Sequence, residues 1–516
     1  MQEPCQFDSQ ACRGDAPTTL RTGVGRFGRW ALVLLAIVLL AAVELRFYQL
    51  ERKSLWSDEL YTAVNALYRD VSLGQQVERF RRTTMNGVID SDTFWTVKAS
   101  DQSPPLFDLI AKGSVKLFEP IERGVRLPSV VFSVVLLLFL VWSAARAREA
   151  VQARVFLVVM ILTAFSATAI EYAQEGRPYS LGLLIAGILS AHFYTRLQQG
   201  LMIAPLPRWP EIVAFIVGCY THYNLIVFSA PLLALYGAIA LARRDRRSLL
   251  ALALVPLAFL PWAYLAKHAI LYTATGGVAW YPEVTRLQAV VDSLEVQSTV
   301  LGKGFSWLAI VLLVSLLGLW LFGRRNAAAG AVRTVAWLIC AAMLYVLLIS
   351  QLSVSIGMFD GRYFVFSIPL FLFAVSVAIV ELSRSHRLAL MTVPLLVLTQ
   401  VPAVRANQLK PKEPYREAVR WLESRVDKGG LVLTTWNKNY YRVYFEGSNK
   451  APEFLNFTQV TEVATVCRQV EPLSGFVVVA FNTHESLLKS LMAGCGSRYE
   501  ITEQYFGPLI AQHWTR

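Results

Sequence analysis

Apolar residues fall along the chain in blocks of about 20, the length a helix needs to cross a bilayer. Short polar or arginine-rich stretches separate them. The first block covers about 30–48. The next cover about 125–143 and 155–170, a fourth ends near Arg196, a fifth covers about 210–221, and a sixth reaches Arg243. Further blocks cover about 248–266, a stretch ending at Arg324-Arg325, and about 334–352, 364–382 and 388–404. The pattern predicts a polytopic α-helical membrane protein of about 11 spans, up to about 13 with looser boundaries. After about residue 405 it changes. Leu431-Val432-Leu433-Thr434 and Phe476-Val477-Val478-Val479-Ala480 read as buried strands, and Tyr415–Val426 and His484–Met492 as helices, so 406–516 is expected to be a small soluble α/β domain.

Arginine placement orients the spans. Arg13, Arg21, Arg26 and Arg29 precede the first block, and Arg146, Arg148, Arg154, Arg243-Arg244-Asp245-Arg246-Arg247, Arg324-Arg325 and Arg384 follow later ones. Positive residues stay inside, which puts the 1–29 tail in the cytoplasm and the 30–405 membrane domain's alternate loops outside. The first block is longer than a signal-peptide core and lacks a small-residue cleavage site, so it is expected to remain as an anchor. The first outer loop, 49–123, is long enough to suggest function. On the same outer side fall Asp58-Glu59, the hairpin Glu171-Tyr172-Ala173-Gln174-Glu175-Gly176-Arg177-Pro178-Tyr179, Thr221-His222-Tyr223, the 267–303 loop with Gly276-Gly277, Trp280 and Tyr281, and Asp360-Gly361-Arg362-Tyr363. The 406–516 domain falls there too. The expected location is therefore the inner or plasma membrane, with the site extracytoplasmic.

Composition agrees: 55% of the residues are hydrophobic and 16% charged, where soluble proteins carry about 25% charged residues. The net charge of +13 is explained by the cytoplasmic arginine clusters, and no basic–aromatic module suggests nucleic acid. The six cysteines show no metal-ligand spacing. Cys467 and Cys495 share the soluble domain, where an oxidising exterior would permit a disulfide.

The outer-face residues suit group transfer from a lipid phosphate. A carboxylate can take a proton from a hydroxyl, and arginine can clamp a phosphate with paired hydrogen bonds. Glu171 and Glu175, spaced i, i+4, are expected to share a helix face. Tyr172, Tyr179, His222 and Tyr223 are expected to line the site.

These stretches, with Leu55-Trp56-Ser57-Asp58-Glu59, Ser103-Pro104-Pro105-Leu106-Phe107, Gly124-Val125-Arg126-Leu127-Pro128-Ser129 and Gly361-Arg362-Tyr363-Phe364, occur in an order that resembles the GT-C superfamily of polyprenyl-phosphate-sugar glycosyltransferases. The branch most similar contains the protein mannosyltransferases and the lipid A aminoarabinose transferases. The resemblance covers about 50–370 and implies that Asp58 is the base activating the acceptor. Glu59 would orient it or help hold a cation, and Arg177, Arg362 and Tyr363 would hold the donor phosphate. Relatives often carry His where this chain has Ser103 before the prolines, so no metal ligand is assigned, although a divalent cation stays compatible with the family. The implied partners are a polyprenyl-phosphate sugar, an extracytoplasmic glycan, lipid or protein acceptor, and membrane lipids. The alternatives are a lipid-linked oligosaccharide ligase or polymerase, and a transporter or flippase; the latter would favour internal repeats and midplane charges, which the chain does not show.

Overall fold

The computed structural model describes residues 29–67, 94–99, 101, 103–275, 284–322, 325–427, 430–436, 438–445, 452–457 and 459–516. The N-terminal tail to residue 28, the middle of the first outer loop, and Gly276-Gly277, Trp280 and Tyr281 lie outside the described residues. Among the described residues, nine helices are long and apolar enough to cross a membrane. A bent pair, Ala150–Phe165 with Ala167–Ala173, and the shorter apolar helix Trp209–Thr221 fill the other two positions of the expected series. Their buried side chains form one continuous core running from Ala42 to Leu396.

Two features of this bundle aim polar residues at one end. Ser166 breaks the third span: its extended backbone ends one helix, and its hydroxyl accepts the Ala169 N–H to start the next. The two segments meet at 62°, which directs Glu171 to Arg177 across the bundle end. Arg46, fully buried, holds the first span against its neighbours by donating to Ser133 Oγ at 2.7 Å and to the carbonyls of Ala164 and Thr163.

The first outer loop begins with the helix Ser57–Leu67. Its start is written in the sequence. Glu59 stands at the third helical position and accepts the Trp56 N–H at 3.3 Å, half of a capping box. Asp58 and Glu59 also place negative charge at the positive end of the helix dipole. Leu60, Ala63 and Val64 form one stripe, and they pack with Val125 of the bundle and with Tyr415, Tyr441 and Leu509 of the C-terminal domain. Asp58 and Thr62 lie on another face. One short helix is thus shared by the membrane core and the soluble domain.

The last span ends at Leu409, and the soluble domain begins with the helix Tyr415–Glu423. Its five strands are β1 (Leu431–Thr434), β2 (Glu453–Asn456), β3 (Gly475–Phe481), β4 (Glu500–Phe506) and β5 (Leu509–Thr515), in the order β2-β1-β3-β5-β4. β1 runs parallel to β2 and β3, while β5 is antiparallel to β3 and β4. Side chains along β3 alternate between two cores, as strand geometry requires. Val477 and Val479 face the helices Tyr415–Glu423 and Lys438–Phe445. Phe476 and Val478 face the helices Val463–Val470 and Glu485–Cys495, which the Cys467–Cys495 disulfide joins.

Candidate active site

Glu59 and Asp58 are neighbours with opposite surroundings. The Glu59 side chain is wholly buried. Arg126 grips it with two hydrogen bonds of 2.7 Å, Lys412 donates at 3.0 Å, and the Gly176 N–H donates at 2.9 Å. Burial alone would raise this carboxyl. The charges of Arg126 and Lys412, with these hydrogen bonds, outweigh it and bring the pKa down to about 2. Glu59 is therefore a fixed anion with its oxygens taken. Arg126 also donates to the carbonyls of Leu50, Lys53 and Ser54, so it ties the entry of the helix Ser57–Leu67 to the second span.

The Asp58 side chain keeps about a third of its surface exposed. Its Oδ2 is ion-paired with Arg362 Nη1. Arg362 comes from a 3-10 turn, Gly361–Ser367, that Asp360 caps: the Asp360 carboxylate accepts the Arg362 N–H at 2.9 Å and its Nη2 at 2.6 Å. The guanidinium also lies 5.2 Å from the Trp56 ring centroid. Arg177 arrives from the turn after the bent span. Its Nη1 donates to the Asp58 carbonyl and to Thr62 Oγ1, both at 3.2 Å, while its Nε is buried without a hydrogen-bond partner. Burial works against the Arg177 charge, but Asp58 leads the neighbours that keep its pKa above the ordinary value. An arginine with an unspent donor beside a partly exposed carboxylate is suited to meet an anion.

The remaining expected site residues divide into three groups. Tyr172, Tyr179 and His222 form a line of rings, with centroids 4.8 Å and 5.6 Å apart, close to the two arginines. Burial, then Arg177 and Arg362, push the His222 imidazole down to about 3, so it is neutral, and its Nδ1 accepts the Asn224 N–H. Tyr363 is partly buried, and its carbonyl accepts from the Tyr345 hydroxyl. Tyr223 accepts from Trp262 Nε1 at 3.2 Å.

Glu171 and Glu175 do not share a helix face, because the helix ends at Ala173. They meet instead across a cavity of about 290 Å³, lined also by Lys53, Trp56, Lys410 and Lys412. Glu171 accepts from Asn407 at 2.8 Å. Glu175 lies 3.9 Å from Lys412, and its Oε2 is buried without a partner. Burial pushes the Glu175 carboxyl up to about 7, with Lys412 opposing and the charges of Glu59 and Glu171 adding to the rise.

Ser103 belongs to a third cluster. Its hydroxyl donates to Asp101 Oδ2 at 2.7 Å and accepts from Lys98 Nζ at 2.7 Å. Asp101 also accepts from Tyr61 at 2.6 Å, and Lys98 is ion-paired with both Asp101 and Asp108. Among the described residues no group of three His, Cys, Asp or Glu side chains is arranged to hold a metal ion. Asp101 and Asp108 converge instead on the Lys98 ammonium.

Sequence reasoning did not single out Arg126, Lys412, Thr62 or Lys98. Arg126 lay in the quoted Gly124–Ser129 stretch as a motif letter without a role. Lys412 lies in Lys410-Pro411-Lys412-Glu413-Pro414, which reads as an interdomain connector. Nothing local links it to Glu59, 353 residues away.

No protein-family profile matches the chain, and no curated protein matches it in sequence. Solved structures do. The apo structure of ArnT from Cupriavidus metallidurans superposes with a TM-score of 0.57 at 13% identity, covering 94% of this chain and 98% of that one. The structure of the same protein bound to undecaprenyl phosphate gives 0.55 at 12% identity, with the same coverage. The likeness spans both the membrane bundle and the soluble domain. The chain therefore shares the fold of these two solved structures, and its described helices make it a multi-pass membrane protein.

Proposed function

We propose that the chain is a membrane glycosyltransferase that moves a sugar from a polyprenyl-phosphate donor to an acceptor on the extracytoplasmic face. One observation carries this reading. Asp58, Arg362 and Arg177, far apart in sequence, converge at one end of the bundle with a carboxylate partly exposed and an arginine N–H unspent. The solved structure of the same fold bound to undecaprenyl phosphate supports a polyprenyl phosphate as the carrier.

In this reading the donor phosphate enters between Arg177 and Arg362. Arg362 exchanges its bond to Asp58 for one to phosphate, which frees the carboxylate. The acceptor hydroxyl oxygen then attacks the anomeric carbon and its proton passes to Asp58. The bond between that carbon and the phosphate oxygen breaks, and its electron pair leaves with the polyprenyl phosphate. The arginines stabilise the charge that develops there. Glu59 touches no reacting atom in this scheme: it positions Asp58 by fixing the helix that carries both. Tyr172, Tyr179, His222, Tyr223 and Tyr363 surround the sugar and phosphate. Ser103 stands with Lys98 and Asp101 beside Tyr61, one turn further along the Asp58 helix.

The test compares cell envelopes by mass spectrometry and measures binding of undecaprenyl phosphate to purified protein. Asp58→Asn is expected to abolish one sugar modification, with donor accumulating and carrier affinity nearly intact. Arg177→Ala and Arg362→Ala are each expected to weaken carrier binding by about tenfold or more, the worth of a charge-assisted hydrogen bond. Unchanged envelopes with a well-expressed Asp58→Asn protein would remove Asp58 as the base, and unchanged affinity in both arginine variants would remove the phosphate clamp.

A further inference from the structure

The soluble domain contains a topological switch point. β1 and β3 are adjacent and parallel, yet the helix that follows β1, Lys438–Phe445, packs on one face of the sheet, and the helix that follows β3, Glu485–Cys495, packs on the other. In open α/β sheets this arrangement parts the two loops and leaves a crevice outside the carboxyl ends of the strands, where ligands bind.

The residues at this crevice suit such a use. Trp436, just past β1, leaves 39% of its surface exposed. Its ring meets Phe481, the last residue of β3, at 6.0 Å and His484, just past β3, at 6.3 Å. His484 Nδ1 is hydrogen-bonded to Thr435 Oγ1 at 2.9 Å, which joins the two loops. The other ring nitrogen has no hydrogen bond among the described residues. Asn482 and Thr483 are exposed beside it. Hydrogen bonds tie the end of β1 to its neighbours. The Thr434 hydroxyl lies 2.8 Å from the Trp436 carbonyl and 2.7 Å from Asn456 Oδ1, with its one proton shared between these two acceptors, and Asn456 Oδ1 also accepts the Lys438 N–H.

The crevice is also connected to the proposed site. Phe481 packs against Tyr415 with centroids 6.2 Å apart, and the Tyr415 hydroxyl is 3.2 Å from Ser57 Oγ, the residue before Asp58. A line of contacts therefore runs from Trp436 through Phe481 and Tyr415 to the start of the Asp58 helix.

We propose that this crevice binds a sugar residue of the acceptor, stacked on Trp436 and hydrogen-bonded by His484, Asn482 and Thr483. A pyranose offers an apolar C–H face and a rim of hydroxyls. The crevice offers an indole face edged by an imidazole, a carboxamide and a hydroxyl, with Lys438 and Glu485 as the charged residues that follow on the two helices. Aromatic rings bury such amphipathic surface at little entropic cost, because they have few rotatable bonds. The proposal rests on the transferase reading and deepens it: the acceptor is a glycan or glycolipid that already carries sugar, held by the soluble domain while its free hydroxyl reaches Asp58.

The test uses the full chain in lipid nanodiscs. Equilibrium binding of maltotriose, mannotriose and chitotriose is measured beside binding of undecaprenyl phosphate. At least one trisaccharide is expected to bind. Trp436→Ala should weaken it by tenfold or more, Trp436→Phe by threefold or less, and carrier affinity should stay unchanged in both, which also reports that the variants are folded. No trisaccharide binding to the wild type, or equal binding in Trp436→Ala, overturns the proposal. So does replacement of the sugars by an unglycosylated Ser/Thr peptide as the ligand sensitive to Trp436. Loss of carrier binding by the wild type would instead strike the transferase reading, and leaves the trisaccharide result to stand or fall by itself.

Discussion

Asp58, Glu59 and Glu175 show how differently three carboxylates can behave within one small region. Glu59 is buried and ionised because five donors from four residues face it. Glu59→Gln leaves Arg126 buried without its counter-charge, a change that costs about 3–5 kcal/mol in comparable sites. A large fall in Tm in detergent is expected, and a Tm within a degree of wild type would show that Glu59 does not hold the helix Ser57–Leu67 in place. Its linkage to pH has a definite sign. The folded pKa lies below the ordinary 4.5, so the stabilisation is fully present above pH 4.5 and is lost as pH falls toward 2, roughly 3 kcal/mol in all. Glu175 has the opposite sign. Its folded pKa of about 7 means that the folded state holds a proton which the unfolded chain releases near 4.5, so stability falls as pH rises from 4.5 to 7. Glu175→Gln should therefore raise Tm at pH 8 and change it little at pH 4, and thermal unfolding at the two pH values checks this. A gain of equal size at both would show that Glu175 does not titrate in between. The acid pair at 58–59 was visible in the sequence. That Glu59 is locked by buried cations was not, because this depends on Arg126 and Lys412, 67 and 353 residues away.

At the scale of elements, legibility followed the dimensionality of the signal. The spans were readable because a run of apolar residues is a one-dimensional property, and even the short helix Trp209–Thr221 showed in it. The bend at Ser166 was not readable, since serine interrupts an apolar run without announcing a 62° turn. In the soluble domain β1 and β3 were legible because both faces are buried, leaving unbroken apolar runs. β4, Glu-Ile-Thr-Glu-Gln-Tyr-Phe, is mostly exposed and carries no such run. The turn after the bent span carries a prediction of its own. Gly176 gives its N–H to Glu59, and a Cβ there would stand 2.1 Å from Val125 Cγ1 and 3.0 Å from the Val125 carbonyl oxygen. Gly176→Ala must push the turn away from the second span. Overpacking of this kind costs about 1–3 kcal/mol, and the displacement carries Arg177 with it. Carrier affinity is expected to fall together with Tm. A variant that lost stability but kept full carrier affinity would show that Arg177 is not held in register by this contact.

For the molecule as a whole, the soluble domain is built onto the candidate site rather than appended to the bundle. Glu413 accepts from the Ser57 N–H at 2.7 Å and from its hydroxyl, the Tyr444 hydroxyl accepts the Leu55 N–H at 2.7 Å, and Lys412 reaches Glu59. The densest of these attachments is Arg416. It pairs with the buried Glu122 at 2.7 Å, donates to the carbonyls of Glu51 and Arg52, and gives its own N–H to Ser54 Oγ. One side chain thus joins the soluble domain to the first outer loop and the second span. Arg416→Ala leaves Glu122 buried and unpaired, which weakens docking by about 3–5 kcal/mol. Arg416→Lys should recover little of this, because an ammonium cannot reproduce the planar fork that serves Glu51, Arg52, Glu122 and Glu417 at once. Local opening follows where contacts are lost first. In Arg416→Ala the amides from Ser54 to Ala66 are therefore expected to exchange hydrogen faster, while those within the bundle core and within β3 stay protected. Sugar transfer should fall more than carrier affinity does, since Arg177 and Arg362 are held by the bundle and Asp58 by the loosened helix. If exchange over Ser54 to Ala66 is unchanged, the soluble domain does not brace the helix that carries Asp58, and its contacts there are passive.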